Sequence, residues 1–71
     1  MIEDLTPSAA LRLKHAHLRS LSNLAKLFGA KLVDISSDRV IVELTAKPRR
    51  IDAFIELVRP FGILETARSG E

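Results

Sequence analysis

The stretch that most constrains the fold is residues 51–70, IDAFIELVRPFGILETARSG. Ile51, Phe54, Ile55 and Val58 recur at the i, i+3, i+4, i+7 spacing that lines one side of an α-helix with apolar groups. Pro60 cannot continue the helical hydrogen-bond ladder, and Gly62 tolerates the left-handed conformation that ends many helices. The pair sets the helix stop, and a strand over about Ile63 to Ser69 follows. These residues define one helix and one strand, and no chemistry.

A chain of 71 residues forms one small domain. At that size only about 60% of the unfolded surface is buried, so stability is marginal. Hydrophobic residues make up 46% and charged residues 28%, a globular balance that argues against disorder. No apolar run approaches the roughly 20 residues of a membrane-spanning helix, so no membrane association is expected. Glu3 and Asp4 argue against both a secretory signal and an acid-free amphipathic leader at the N-terminus. The absence of cysteine excludes disulfides and thiolate metal sites. A formal charge of +2, with neither Trp nor Tyr, is too small to point to nucleic acid and lacks most stacking groups.

Residues 1–6 carry no helical or alternating pattern and read as a disordered start, with a single domain over residues 7–70. Thr6-Pro7 reads as a helix entry, with threonine as N-cap and proline at the first helical position. The acid that would complete a capping box is missing, because position 9 is Ala9. A long helix from about Pro7 to Phe28 then carries Leu11, Leu18, Leu21, Ala25 and Phe28, with Leu24 and Leu27 widening the stripe, and Gly29 closes it. Ala30 to Ile35 and Val40 to Thr45 are rich in β-branched residues and flank the polar turn Ser36-Ser37-Asp38-Arg39, a hairpin. Setting Ile35 opposite Val40 places Val33 opposite Val42 and Lys31 opposite Leu44. Val33, Ile35, Val40, Val42 and Leu44 then share the face that meets the helices, and Leu32, Asp34, Ile41 and Glu43 share the other.

The resulting order is helix, strand, strand, helix, strand. A ferredoxin-like (ACT-like) α+β sandwich, βαββαβ, has this order with one more strand in front. That strand lies centrally in the sheet, so the expectation is an αββαβ domain fragment with a gap that a partner chain, a swapped segment or local rearrangement closes.

Catalytic groups are sparse. His15 and His17, two residues apart on the expected helix, lie about 200° round from each other and cannot share a metal as an i, i+4 pair can. Serines 8, 20, 22, 36, 37 and 69 sit in no nucleophile elbow. Gly29, Gly62 and Gly70 are isolated, so neither a P-loop nor a dinucleotide fingerprint can be built. No catalytic residue, metal ligand or cofactor is assigned. The single charge cluster is Lys47, Arg49 and Arg50 around Pro48, at the start of the second helix, where anions are favoured; a solvated loop is the plainer reading. Arg59 and Arg68 are placed to pair with Glu56 and Glu65.

Phe28-Gly29, Leu32-Val33-Asp34-Ile35-Ser36, Ile41-Val42-Glu43-Leu44-Thr45, Ile51-Asp52-Ala53-Phe54 and Arg59-Pro60-Phe61-Gly62, followed by Ala67-Arg68-Ser69-Gly70, together resemble the C-terminal domain of the regulatory (small) subunit of acetohydroxyacid synthase, also called acetolactate synthase. The resemblance runs over residues 17–70 in family order. The preceding segment, Pro7 to His17, is similar to the helical insertion of the fungal form, which implies a mitochondrial location. Such subunits bind the thiamine-diphosphate catalytic subunit, raise its activity and confer feedback inhibition by valine in branched-chain amino-acid synthesis. In that family the valine site belongs to an N-terminal ACT domain, so no valine ligands are carried over to this chain. The resemblance implies a non-catalytic domain that contacts the catalytic subunit or further copies of itself, a homo-oligomer. Contact candidates are Leu32, Ile41, Lys47, Arg49, Arg50 and Arg68. A nucleic-acid-binding module of the same outline is disfavoured because the strands carry no aromatic residue on which bases would stack. An ACT-like small-molecule sensor or homo-oligomerisation module is the alternative, discriminated by stabilisation with branched-chain amino acids.

Overall fold

In the computed structural model, residues 7–69 are described; the expected disordered start at residues 1–6 lies outside them. Strand β1 runs Ser8–Lys14, a 3₁₀ turn covers His15–His17, and helix α1 spans Leu18–Phe28. Strands β2 (Lys31–Ile35) and β3 (Arg39–Thr45) form a hairpin, followed by helix α2 (Pro48–Val58), a 3₁₀ turn at Arg59–Phe61 and strand β4 (Ile63–Ser69). The sheet order is β2-β3-β1-β4, with every neighbouring pair antiparallel. This is the complete βαββαβ sandwich of the ferredoxin-like, ACT-like class.

The expectation of a missing first strand is therefore overturned. The segment read as the first half of a long helix is the central strand, paired along its length with β3 and β4. Its residues explain why. Ala9, Leu11 and Leu13 are 2%, 0% and 0% exposed, whereas Arg12 and Lys14 stay at the surface. Alternation of period two buries both leucines; a helix would turn Leu11 and Leu13 about 200° apart and expose one of them. The helical reading rested on Thr6-Pro7 as an entry and on Leu11 as the first residue of a stripe with Leu18 and Leu21, local signals that pairing in a central strand overrides. No gap remains for a partner to fill, and residues 8–14 are not a helical insertion.

Helix α1 buries Leu21 and Ala25 and ends where expected. Gly29 has φ 74° and ψ 23°, in the left-handed region. Its N–H donates to the Lys26 carbonyl at 3.3 Å and the Ala30 N–H donates to the Ala25 carbonyl at 2.7 Å. Carbonyls left over by the last turn are thus satisfied.

The hairpin turns at the expected place, with the Ser36 N–H donating to the Arg39 carbonyl at 2.9 Å. Ile35 faces Val40 as anticipated, but the register shifts between Leu32 and Asp34, so that Leu32 faces Val42 and Lys31 faces Glu43. A bulge inserts one residue and flips the side-chain alternation beyond it. Leu32 consequently packs against the core and Val33, expected inside, is 51% exposed; Ile35, though opposite the buried Val40, is 50% exposed at the end of the edge strand β2. A second shift lies opposite Arg12 and Leu13, near the start of β4.

Helix α2 starts at Pro48, three residues before the apolar stripe begins. The Arg50 and Ile51 N–H groups donate to the Lys47 carbonyl at 2.9 and 3.0 Å. Ile51, Phe54 and Val58 are buried, and the helix stops through the Arg59–Phe61 turn and Gly62 at φ 94°. Leu11, Leu13, Leu21, Val40, Val42, Leu44, Ile51, Phe54 and Val58 are essentially inaccessible, and form one core between the sheet and its two helices. The other sheet face has no element covering it among the described residues.

Candidate interaction surface

Two surfaces collect the residues that the sequence singled out. The first lies where α1 ends and α2 begins. Lys47, Pro48, Arg49, Arg50, Phe28 and Ala53 line an open groove of about 740 Å³. Gly29 turns the chain away after Phe28, and the hairpin returns it at Ala46, so the two helix ends meet at one end of the sandwich. Phe28 packs edge-on against the buried Phe54, with ring centroids 5.2 Å apart. The Arg50 guanidinium lies over the Phe28 ring at 5.0 Å, and its Nη2 donates to the Leu27 carbonyl at 3.3 Å. Arg50 is therefore held in one pose by a cation–π contact and an α1 carbonyl.

Lys47 and Arg49 are exposed and meet no acidic side chain among the described residues. Four of the five other arginines behave differently. Arg12 pairs with Glu65 at 3.1 Å, Arg39 with Asp38 at 3.6 Å, Arg59 with Glu56 at 2.6 Å and Arg68 with Asp52 at 2.7 Å. The Arg59 pairing is the expected one; Arg68 instead reaches from β4 to α2, and Glu65 takes Arg12 across the strands.

The second surface is the open sheet face. A shallow hollow of about 210 Å³ is lined by Ala10, Leu11, Arg12, Ile41, Glu65 and Ala67. Ile41, which is half-buried, Arg12 and Glu65 form one row across the strands, and Ala10 and Ala67 are paired in the next row. At one end of this face the Ser8 and Ser69 hydroxyls lie 2.9 Å apart.

The six contact candidates thus separate. Lys47, Arg49 and Arg50 come together, Ile41 lies on the open sheet face, Arg68 bridges to α2 on the helix side, and Leu32, half-buried, is turned by the β2 bulge to pack against the core. Phe28, which seats Arg50, was not singled out; its position as the last apolar residue before Gly29 is the signal that places it beside the α2 entry. His15 and His17 belong to a turn, and His17 leans on Phe61 with centroids 5.2 Å apart. Among the described residues no group of three His, Cys, Asp or Glu side chains is arranged to hold a metal. No helix among them is long and apolar enough to cross a membrane.

Residues 11–71 match the family described as the small subunit of acetolactate synthase. The probable acetolactate synthase small subunit of Schizosaccharomyces pombe is 42% identical over 66 residues, 93% of this chain and 23% of that protein. The acetolactate synthase small subunit of Aquifex aeolicus is 37% identical over 71 residues, 100% of this chain and 34% of its own length. Among solved structures, the crystal structure of the acetolactate synthase small subunit from Thermotoga maritima superposes with a TM-score of 0.83 at 26% identity, covering 90% of this chain and 40% of that one. The chain spans 23% to 47% of the length of the curated relatives it matches first. It belongs to the acetolactate synthase small-subunit family, as the equivalent of the C-terminal domain.

Proposed function

We propose that this chain is a non-catalytic regulatory domain of acetolactate synthase. It supports activation and feedback regulation of the catalytic subunit in branched-chain amino-acid biosynthesis. The observation that carries the reading is the family match across residues 11–71, on a fold whose serines, histidines and carboxylates are spread over turns and surfaces. Residues 7–70 act as one module of a larger subunit, and the partner is the thiamine-diphosphate catalytic subunit. Lys47, Arg49 and Arg50 form the main contact, with Ile41 and Arg68 on separate faces; Leu32 is dropped as a contact because it packs on the core.

Self-association is part of the same reading. It no longer rests on a gap in the sheet. Its support is the open sheet face, with Ala10, Ile41 and Ala67 alongside the charged Arg12 and Glu65, the mix of apolar and polar groups found at interfaces. A mitochondrial location is the remaining part. The fission yeast relative speaks for it; an archaeal relative matches over a similar span, so subcellular fractionation decides it.

Sedimentation of the full-length regulatory subunit, alone and mixed with the catalytic subunit, tests the reading. Co-sedimentation that is lost when residues 7–69 are removed supports it. Equal co-sedimentation without them assigns contact to another part of the subunit and refutes it.

A further inference from the structure

We infer that the groove between the end of α1 and the first turn of α2 receives an acidic, partly apolar segment of the catalytic partner. The inference rests on the reading above and adds the chemistry of the contact.

Charge placement is the first observation. Helix N-termini favour acidic residues and disfavour cations. The first turn of α2 nevertheless carries no acid and no side-chain cap, and packs Lys47, Arg49 and Arg50 around Pro48. Helix α1 likewise has no acid and no side-chain cap in its first turn, where Arg19 stands as a single cation. What sets α2 apart is the gathering of three cations within four residues at its start, a surface suited to an external anion. The four arginines that pair with acids lie elsewhere; other surface cations such as Arg19 also lack an acid among the described residues, but Lys47, Arg49 and Arg50 are gathered along one groove.

Preorganisation is the second. Arg50 is locked between the Phe28 ring and the Leu27 carbonyl, and Phe28 is braced by Phe54 from the core. A held arginine against an aromatic ring loses little rotamer freedom on binding, the usual make-up of an interface anchor.

Apolar surface is the third. Leu27, whose carbonyl takes the Arg50 hydrogen bond, is 71% exposed, the highest among the exposed large hydrophobics. Phe28, Pro48 and Ala53 add apolar wall to the groove. A small inorganic anion would use the cations and leave this surface wet. A peptide segment with two or three carboxylates and an apolar side chain uses both, and the long-range field of the cations steers it in.

The test uses full-length regulatory and catalytic subunits and measures their Kd by sedimentation at low and high salt. Lys47→Gln/Arg49→Gln removes charge without touching any intramolecular partner. Lys47→Glu/Arg49→Glu reverses it, and Leu27→Ala removes the exposed apolar side chain that precedes Phe28; thermal unfolding verifies that each variant folds. Expected are at least a tenfold loss of affinity for the neutralised pair at low salt, a larger loss for the reversed pair, and convergence with wild type at high salt as screening removes the charge term. Leu27→Ala weakens binding at both salt concentrations. Charge variants that bind within twofold of wild type at low salt overturn the groove assignment while leaving the regulatory reading in place. A wild-type subunit that fails to bind overturns both.

Discussion

Replacing Leu11 or Leu13 with alanine probes the central strand, and the expected effect follows from burial. Both side chains are 0% exposed, in the strand flanked by β3 and β4. Leucine to alanine removes three carbons, about 2.4 kcal/mol at roughly 0.8 kcal/mol per buried CH₂. The residual cavity raises the total to about 3–5 kcal/mol, because neighbours in a close-packed sheet relax only in part. A domain of 71 residues has a total stability of roughly 4–10 kcal/mol, so either substitution removes from about a third to all of it. Arg12, between them, is the control. Its side chain is 47% exposed and its bridge to Glu65 spans 3.1 Å, so Arg12→Ala costs at most about 1 kcal/mol. Urea titration followed by far-UV circular dichroism reads all three. A strand predicts large, small, large along residues 11, 12 and 13. A change below about 1 kcal/mol at Leu13, with a large one at Leu11, would match a helix and refute the strand.

Gly29→Ala should cost about 1–2 kcal/mol from backbone strain at φ 74° alone, since an added Cβ there meets nothing within 4 Å. Gly62→Ala should cost more, because φ is 94° and the Cβ would lie 2.8 Å from the Lys14 Cδ; the reverse order of melting temperatures contradicts this account. Phe28→Ala should lose about 2–3 kcal/mol as the edge contact with Phe54 disappears, and should weaken partner binding in the full subunit because Arg50 loses its seat. Arg68→Ala should change stability by no more than about 1 kcal/mol despite the 2.7 Å approach to Asp52, whose side chain is 63% exposed, and high salt should shrink the difference.

Residues with one dominant local signal were legible in the sequence. Pro60 and Gly62 close α2 because proline and a left-handed glycine admit few alternatives, and Gly29 does the same for α1. The turn around Ser36 to Arg39 and the pairing of Ile35 with Val40 follow from composition and short loop length. Residues 8–14 were misread because Leu11, joined to Leu18 and Leu21, fits a helical stripe, while Ala9, Leu11 and Leu13 also alternate as in a strand. Only pairing with β3 and β4, which are distant in sequence, chooses between them. The β2 bulge was hidden for a similar reason. Nothing local in Leu32-Val33-Asp34 marks an inserted residue, yet one insertion moved Leu32 from the open face to the core and Val33 to the surface. At the candidate site the cations were visible as a cluster, but their seat was not. Phe28 and Arg50 meet only because the sandwich brings the end of one helix beside the start of the other.

The rate of acetolactate formation by the catalytic subunit tests the central claim most directly, measured alone, with the intact regulatory subunit, and with a regulatory subunit lacking residues 7–69. The account predicts that the intact subunit raises the rate and that the truncated one raises it far less, while this chain alone has no such activity. Full activation by the truncated subunit, or turnover by this chain without its partner, would contradict it.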